Sequence, residues 1–241
     1  MRTEDFRLAW SATSTFRTKL TNQPPPLYAR YQAVSFGQST FNAEVGAEGT
    51  PYFSRVIHFP GGRSSGVTLG PGFDMGLRSR QSIIEDLKRA GVPYSDALEL
   101  SQGAGLRGES ARRFVLANRN SLPVISAQAE RSLFEDVISP QIIADIKRIL
   151  VKPDVVSTYG AVGWEELDRP VQELLFDLRY RGDYTPYTRK LIQPLLASQD
   201  SEGLSRLMQD RALWSALGVP SARIEQRMAI LSGSNLKNSE P

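Results

Sequence analysis

The stretch Gly66–Gly76, GVTLGPGFDMG, sets four glycines, a proline, a threonine and an aspartate in an apolar frame. Side chains alternate along a β-strand, so Thr68 and Asp74 would share one face with the glycines between them, and the apolar side chains would lie largely on the other. Six residues of straight strand span roughly 20 Å at ~3.3 Å each, which is too far for both side chains to serve one sugar. If both belong to one site, the chain must bend at Gly70-Pro71-Gly72.

The segments that flank this stretch predict a β-hairpin preceded by a helix. The apolar run from Val56 to Phe59 is typical of a strand, and the glycine- and serine-rich segment 60–66 is typical of a turn. Upstream, residues 36–48 favour a short helix that ends at Glu48, with Gly49 as its left-handed cap. The glycine-rich strand and the end of this helix would face one another across a groove.

After Gly76 the apolar residues recur at helical spacing. Ser126 is a suitable N-cap for a long helix, which Pro140 would kink or split. Pro170 and Pro186 each suit the first turn of a further helix. Further helices are predicted at 95–101, 109–118 and 202–208 and after residue 220, whereas residues 153–163 are typical of a loop.

Composition excludes several classes of site. The 241 residues, 40% hydrophobic and 23% charged, are typical of a globular protein with one large domain or two lobes. Cysteine is absent and His58 is the only histidine, which excludes disulfides, thiol nucleophiles and zinc sites built on several imidazoles. The net charge of +3 comes from scattered residues, so no nucleic-acid partner is predicted. No apolar run approaches the roughly 18 residues of a membrane span, and the N-terminus has no signal-peptide pattern.

The glycine-rich strand has three interpretations from its residues alone. A phosphate-binding loop is one, but the GxxxxGK[ST] and GxGxxG patterns and a βαβ context are missing. A sharply bent structural strand is the second. The third is a saccharide cleft, because a polar strip with few side chains would let a sugar ring lie flat against it. Glu48 supplies a matching acid: a carboxyl group in the last turn of a helix faces the negative end of the helix dipole, which disfavours its ionised form. An exposed glutamate before a helix cap is the alternative.

The segments AEGT, FSRVIHFPGG and SSGVTLGPGFDMG together resemble the pesticin-type branch of the phage-lysozyme-like muramidases, a domain that also occurs in secreted antibacterial toxins. The segments QELLFDLRYRGDYTPYTRKLIQPL and LWSALGVPSARIEQRM are similar to the C-terminal lobe of those lysozymes. The resemblance spans roughly residues 40–231. It implies an α+β, lysozyme-like fold with a small β-hairpin lobe (about 41–80) and a mainly α-helical lobe (about 81–231), between an N-terminal extension or linker (1–40) and a flexible tail (232–241).

The resemblance also implies roles for single residues. Glu48 would be the general acid, Thr68 would help to place the hydrolytic water, and Asp74 would be the second carboxylate. Arg223 resembles an arginine that pairs with the catalytic glutamate across the cleft. Glu44, one helical turn before Glu48, is the reserve acid, and Asp177 is the reserve second carboxylate. Tyr52 and Arg63 are candidates for contact with the saccharide or its peptide stem.

The function implied is cleavage of the β-1,4 bond between N-acetylmuramic acid and N-acetylglucosamine, with inversion and no metal or organic cofactor. The alternatives are a lytic transglycosylase and a non-catalytic module that binds the cell wall. The expected partners are peptidoglycan glycan strands and a cognate immunity protein, with no nucleic acid, no membrane insertion and a monomeric state. The expected course is synthesis in the cytoplasm without a signal peptide, followed by delivery or release into the periplasm or cell wall of a target cell.

Overall fold

The structure, a computed structural model, describes residues 33–46 and 53–233. From Val34 onward these residues belong to one compact unit. This unit is mainly helical and carries one small antiparallel hairpin, so its class is α+β. Glu48 and Tyr52 lie outside the described residues, as do the predicted cap Gly49 and most of the predicted extension and tail.

Helices make up most of the described chain. They are α1 (Gln38–Glu44), α2 (Arg80–Arg89), α3 (Tyr94–Leu100), α4 (Glu109–Asn118), α5 (Ala127–Ser132), α6 (Ser139–Leu150), α7 (Pro153–Tyr159), α8 (Arg169–Arg181), α9 (Pro186–Ala197), α10 (Ser201–Gln209), α11 (Arg211–Ala216) and α12 (Ser221–Leu231). The predicted helix 109–118 matches α4, and Pro186 lies in the first turn of α9, as predicted. Within the described ranges, none of these helices is long and apolar enough to cross a membrane.

Two predictions about helices are wrong. Helix α1 ends at Glu44 and not at Glu48, because Val45 already has an extended backbone, with φ −74° and ψ 113°. The segment 153–163, predicted as a loop, contains α7, and Pro153 occupies its first turn. Proline suits that position because the first N–H groups of a helix have no partner within it. The helix end therefore moves from Glu48 to the reserve acid, Glu44.

The hairpin consists of β1 (Thr68–Leu69) and β2 (Phe73–Asp74), in a register that pairs Thr68 with Asp74. The chain reverses at Gly70-Pro71-Gly72, where φ is 58° at Gly70 and 94° at Gly72. Glycine adopts these left-handed angles without the steric penalty that a Cβ would bring. The bend that a shared site for Thr68 and Asp74 would require is present, and it brings the two polar residues opposite one another.

The apolar face of the hairpin is buried, as the alternation predicts: Val67, Leu69, Phe73 and Met75 have no exposed surface. Thr68 on the other face is buried as well, and Asp74 is partly exposed. The predicted strand from Val56 to Phe59 is reduced to a single antiparallel bridge, in which His58 and Thr68 exchange backbone hydrogen bonds of 2.8 and 2.9 Å. The hairpin thus consists of β1 and β2, and the segment around His58 lies along the edge of β1.

Two hydrophobic cores lie within the unit. The first packs the hairpin against α2, α3 and α4, so it extends well beyond residue 80, and its buried members include Ile57, Phe73, Ile83, Leu87, Leu100, Val115 and Leu133. The second unites α1 with the C-terminal helices, and its members include Phe41, Phe134, Ile146, Phe176, Ile192, Trp214 and Ile224. Leu133 and Phe134 are neighbours in the chain and belong to different cores. The segment that contains these two residues joins the core of the hairpin to the core of the C-terminal helices.

The helical run from Ala127 to Leu150 passes from the first core to the second. Ser126 caps its start, since its hydroxyl accepts the N–H of Ala129 at 3.0 Å. The predicted interruption before Pro140 takes the form of a π-helical turn over Leu133–Ile138. Such turns accommodate a break in the regular hydrogen-bond ladder of a helix.

Candidate functional site

Asp74 is fixed to the edge of the hairpin by two backbone groups. Its Oδ2 accepts the N–H of Gly66 at 3.0 Å and its Oδ1 accepts the N–H of Gly76 at 2.6 Å. The Thr68 hydroxyl donates to the carbonyl oxygen of Gly66 at 3.3 Å. Thr68 is only 3% exposed, whereas Asp74 is partly exposed. Asp74 is therefore the more accessible of the two predicted residues.

Gly66 is required for this arrangement. A Cβ at this position would overlap Asp74 Oδ1 and the backbone nitrogen of Gly76, and it would lie 2.6 Å from Gly76 Cα. Contacts this short with backbone atoms cannot be relieved by a side-chain rotation. The glycine thus lets the Asp74 carboxylate bridge both chain segments of the hairpin edge.

Glu44 is the last residue of α1 and forms an ion pair with Arg223 of α12. Arg223 Nη1 lies 2.9 Å from Glu44 Oε1. The Arg223 side chain is 8% exposed and the Glu44 side chain is 32% exposed, so the carboxyl group can be reached from solvent. Burial acts to lower the pKa of the Arg223 guanidinium, but the carboxylates of Asp177 and Glu44 outweigh it and raise that pKa.

Asp177 of α8 is the centre of a buried network behind Glu44. Its two oxygens lie 2.6 Å from Arg223 Nη2 and 3.1 Å from Arg223 Nε, and Oδ2 also accepts Arg227 Nε at 2.8 Å. The Thr40 hydroxyl donates to Oδ1 at 2.9 Å, and Arg227 continues to Asp183 at 2.5 Å. Asp177 has no exposed surface. The prediction of Asp177 as the reserve second carboxylate is therefore wrong, because no substrate can touch this buried side chain.

Ser54 connects the end of α1 to the hairpin. Its hydroxyl accepts the N–H of Gly46, two residues after Glu44, at 3.1 Å. Its carbonyl oxygen accepts the N–H of Gly70, two residues after Thr68, at 2.7 Å. The described residues thus bring Glu44, with its arginine, next to the hairpin that carries Thr68 and Asp74.

A family model described as "Domain of unknown function (DUF8812)" matches residues 37–228, most of the chain. The chain belongs to the DUF8812 family. The matched range contains Glu44, Thr68, Asp74, Asp177 and Arg223. No curated protein matches the sequence.

Arg63, predicted to contact substrate, is exposed on the loop that precedes β1 of this DUF8812 domain. The loop is fastened to the start of α4: Gly108 N–H donates to the Ser65 carbonyl oxygen at 2.8 Å, and Arg107 Nε donates to that of Ser64 at 3.1 Å. Arg107 is exposed as well, and a Cβ added at Gly76, the residue that donates to Asp74, would lie 2.9 Å from its Cγ. Two arginines therefore lie at the Asp74 end of the hairpin.

His58 has a structural place in the domain. It is 9% exposed, its Nδ1 lies 3.2 Å from the carbonyl oxygen of Val56, and its backbone pairs with Thr68. Burial, assisted by the charge of Arg119, lowers the pKa of His58, although the Val56 carbonyl acts in the other direction. Among residues 33–46 and 53–233, no group of three His, Asp or Glu side chains is arranged to hold a metal ion.

Three residues of the site are not predicted from the DUF8812 sequence. Arg227 lies one helical turn after Arg223 on the buried side of α12, and that spacing on an amphipathic helix is a usable signal. Tyr180 lies three residues after Asp177 on α8. Ser54 acts through its hydroxyl and its carbonyl group, and nothing in the local sequence indicates the second contact.

Proposed function

We propose that the protein is a peptidoglycan hydrolase that cleaves the β-1,4 bond between N-acetylmuramic acid and N-acetylglucosamine. The observation that carries this proposal is the position of Glu44, which is paired with Arg223 and tied through Ser54 to the hairpin of Thr68 and Asp74. An inverting glycosidase needs an acid on one side of the scissile bond and a second carboxylate on the other. The resemblance of the hairpin to the pesticin-type muramidases, with a lysozyme-like fold, supports the same function.

In this proposal the carboxylate of Glu44, paired with Arg223 through Oε1, takes up a proton on Oε2 and then passes it to the leaving glycosidic oxygen. Its carboxyl group is accessible, and Arg223 holds one of its oxygens in a fixed position. Arg223 is itself held by both oxygens of Asp177, so its guanidinium has little freedom to turn away. Such preorganisation is what a group that transfers a proton to a bound substrate needs.

The carboxylate of Asp74 accepts a proton from the attacking water, and Asp74 and Thr68 direct that water to the opposite face of the sugar. Two backbone N–H groups hold the carboxylate of Asp74, and Thr68 is paired with Asp74 in the register of the hairpin. Inversion would place the carboxyl groups of Glu44 and Asp74 roughly 6.5–9.5 Å apart around a bound glycan, which leaves room for the water. As an antibacterial effector or toxin domain, the protein would act on the glycan strands of a target cell and would be countered by an immunity protein.

The decisive experiment is digestion of purified peptidoglycan by the wild-type protein, Glu44→Gln and Glu48→Gln, with the products identified by mass. We expect wild-type products with reducing ends and a loss of at least about 100-fold in rate for Glu44→Gln. A retained rate in Glu48→Gln would assign the acid to Glu44, and the reverse pattern would return that role to Glu48, as the sequence predicts. Products with 1,6-anhydro ends would instead indicate a lytic transglycosylase. Binding without any release would indicate a non-catalytic module.

A further inference from the structure

Tyr180 joins α8 to the turn of the hairpin. Its hydroxyl donates a hydrogen bond to the carbonyl oxygen of Pro71. Burial, together with the nearby charge of Glu44, raises the pKa of Tyr180 well above its ordinary value, so the hydroxyl keeps its proton and remains a donor. The ring is held by two phenylalanines, with centroids 6.2 Å away for Phe134 and 6.0 Å for Phe176. The packing of the ring thus holds the Tyr180 hydroxyl in a fixed position on α8.

The next residue of the turn is fitted to the same hydroxyl. A Cβ at Gly72 would overlap the Tyr180 hydroxyl oxygen and would lie 3.0 Å from the Cζ atom. Gly72 also has φ 94°, which side chains other than glycine rarely adopt. The turn can therefore approach Tyr180 this closely only with glycine at position 72.

Helix α8 holds both halves of the candidate site. Asp177 and Tyr180 are three residues apart, so their side chains lie on the same side of α8. Asp177 holds Arg223, which holds Glu44, and Tyr180 holds the turn between Thr68 and Asp74. The two contacts fix the acid and the hairpin to one rigid element.

Resting on the proposed function, we propose that Tyr180 is a positioning residue that sets the distance between Glu44 and the Thr68–Asp74 pair. Tyr180 does not touch the reacting atoms. Its hydroxyl keeps the turn from moving away from α8. Because Thr68 and Asp74 flank that turn, the hydroxyl also holds the residues that direct the water. A misplacement of about 1 Å between catalytic groups can reduce a rate by about 100-fold. The expected loss falls on kcat, because the sugar-binding surfaces themselves are unchanged.

The test compares Tyr180→Phe with Tyr184→Phe in the full chain. Tyr184 is a suitable control because it is 4% exposed and its hydroxyl accepts Gln193 Nε2 at 2.8 Å, away from the hairpin. With purified peptidoglycan, we expect Tyr180→Phe to lower kcat about tenfold, equivalent to about 1.4 kcal/mol of activation free energy, and to change KM less than about threefold. We expect Tyr184→Phe to keep kcat within about twofold. An unchanged kcat in Tyr180→Phe would overturn the proposal.

Amide hydrogen exchange gives a readout that does not depend on activity. The N–H of Gly70 donates to Ser54 and that of Gly72 donates to Gly70, so both report on the turn. We expect their exchange to be faster in Tyr180→Phe and unchanged in Tyr184→Phe. If the wild-type protein releases no product from peptidoglycan, the proposed function fails. The exchange rates of Gly70 and Gly72 still decide whether Tyr180 holds the turn in place. Equal rates in the wild-type protein and Tyr180→Phe would contradict the anchoring.

A double-mutant cycle tests the same contact from the side of the turn. Gly72→Ala introduces a Cβ that overlaps the Tyr180 hydroxyl, in addition to the strain from φ 94°. Removal of the hydroxyl relieves the overlap and leaves the strain. Gly72→Ala should therefore reduce kcat by a smaller factor in the Tyr180→Phe background than in the wild-type background, because the two changes act on one contact. Equal factors in both backgrounds would show that the two residues act independently and would overturn the proposal.

Discussion

Arg223 Nη1 lies 2.9 Å from Glu44 Oε1, and the two residues are 179 positions apart in the chain. The pair is part of a network in which Asp177 and Arg227 are almost completely buried. A buried charge that loses its partner is costly, so a substitution that breaks the network should lower the stability of the fold. This cost leads to the first prediction.

Arg223→Ala should destabilise the protein by about 3–5 kcal/mol, because it removes one of the two guanidinium partners of the buried Asp177 carboxylate. Arg211→Ala is the matched control. It removes an ion pair with Glu225 in which both side chains are about half exposed, and such pairs contribute roughly 0–1 kcal/mol. Urea unfolding of both variants would measure the free energies. Similar losses in both would contradict a stabilising role for the buried network.

Gly66→Ala should destabilise the hairpin by about 1–3 kcal/mol, since the new Cβ collides with backbone atoms of Gly76 and displaces the Asp74 carboxylate. Gly103→Ala serves as a comparison, because its Cβ would meet only side-chain atoms, at 3.0–3.2 Å. Thermal unfolding of the two variants would show a larger drop in melting temperature for Gly66→Ala. The reverse order would show that the bridging of the hairpin edge by Asp74 contributes little stability.

His58 should make the protein less stable as the pH falls below about 6.5, its ordinary pKa. Burial lowers the pKa in the folded state, so between the two values the unfolded chain binds more protons, and acid favours unfolding. The slope contributed by one such group is at most about 1.4 kcal/mol per pH unit. The free energy of unfolding, measured from pH 7 to pH 5, should fall more for the wild-type protein than for His58→Gln. Parallel curves would exclude His58 as the cause.

Arg63→Ala should weaken binding to intact peptidoglycan severalfold without changing kcat. Arg63 is exposed on the loop that is fastened beside Arg107, at the Asp74 end of the hairpin. A guanidinium group at this position can pair with a carboxylate of the peptide stem. Arg113→Ala, which removes an exposed arginine from α4, is the control. Co-sedimentation with cell walls at two salt concentrations would measure the affinity, and equal affinities for both variants would rule out a specific contact at Arg63.

The local parts of the fold are predictable from the sequence. The alternation of Val67, Leu69, Phe73 and Met75 indicates that these side chains are buried, although it does not indicate that Thr68 on the other face is buried too. The composition of Gly70-Pro71-Gly72 permits the bend. Proline positions define the starts of α8 and α9, and the same reasoning applied to Pro153 would have predicted α7.

The end of α1 and the network behind Glu44 are less accessible from the sequence. Gly46 is a local signal that the helix ends before Glu48, but it does not show that Val45 is already extended. The partners of Asp177 lie 137 positions before it and up to 50 positions after it, and no local pattern specifies such pairs. The resemblance indicates that Arg223 pairs with a glutamate. In the structure, Arg223 forms an ion pair with Glu44.

The distribution of the network along the chain has a consequence for biosynthesis. Glu44 leaves the ribosome early, whereas Arg223 and Arg227 belong to α12, the last helix of the described chain. Until that helix is translated, the guanidinium groups that neutralise Asp177 and orient Glu44 do not exist. A nascent or prematurely terminated polypeptide therefore lacks the assembled site, and the cell that makes the protein holds only an incomplete form until translation of α12 is finished.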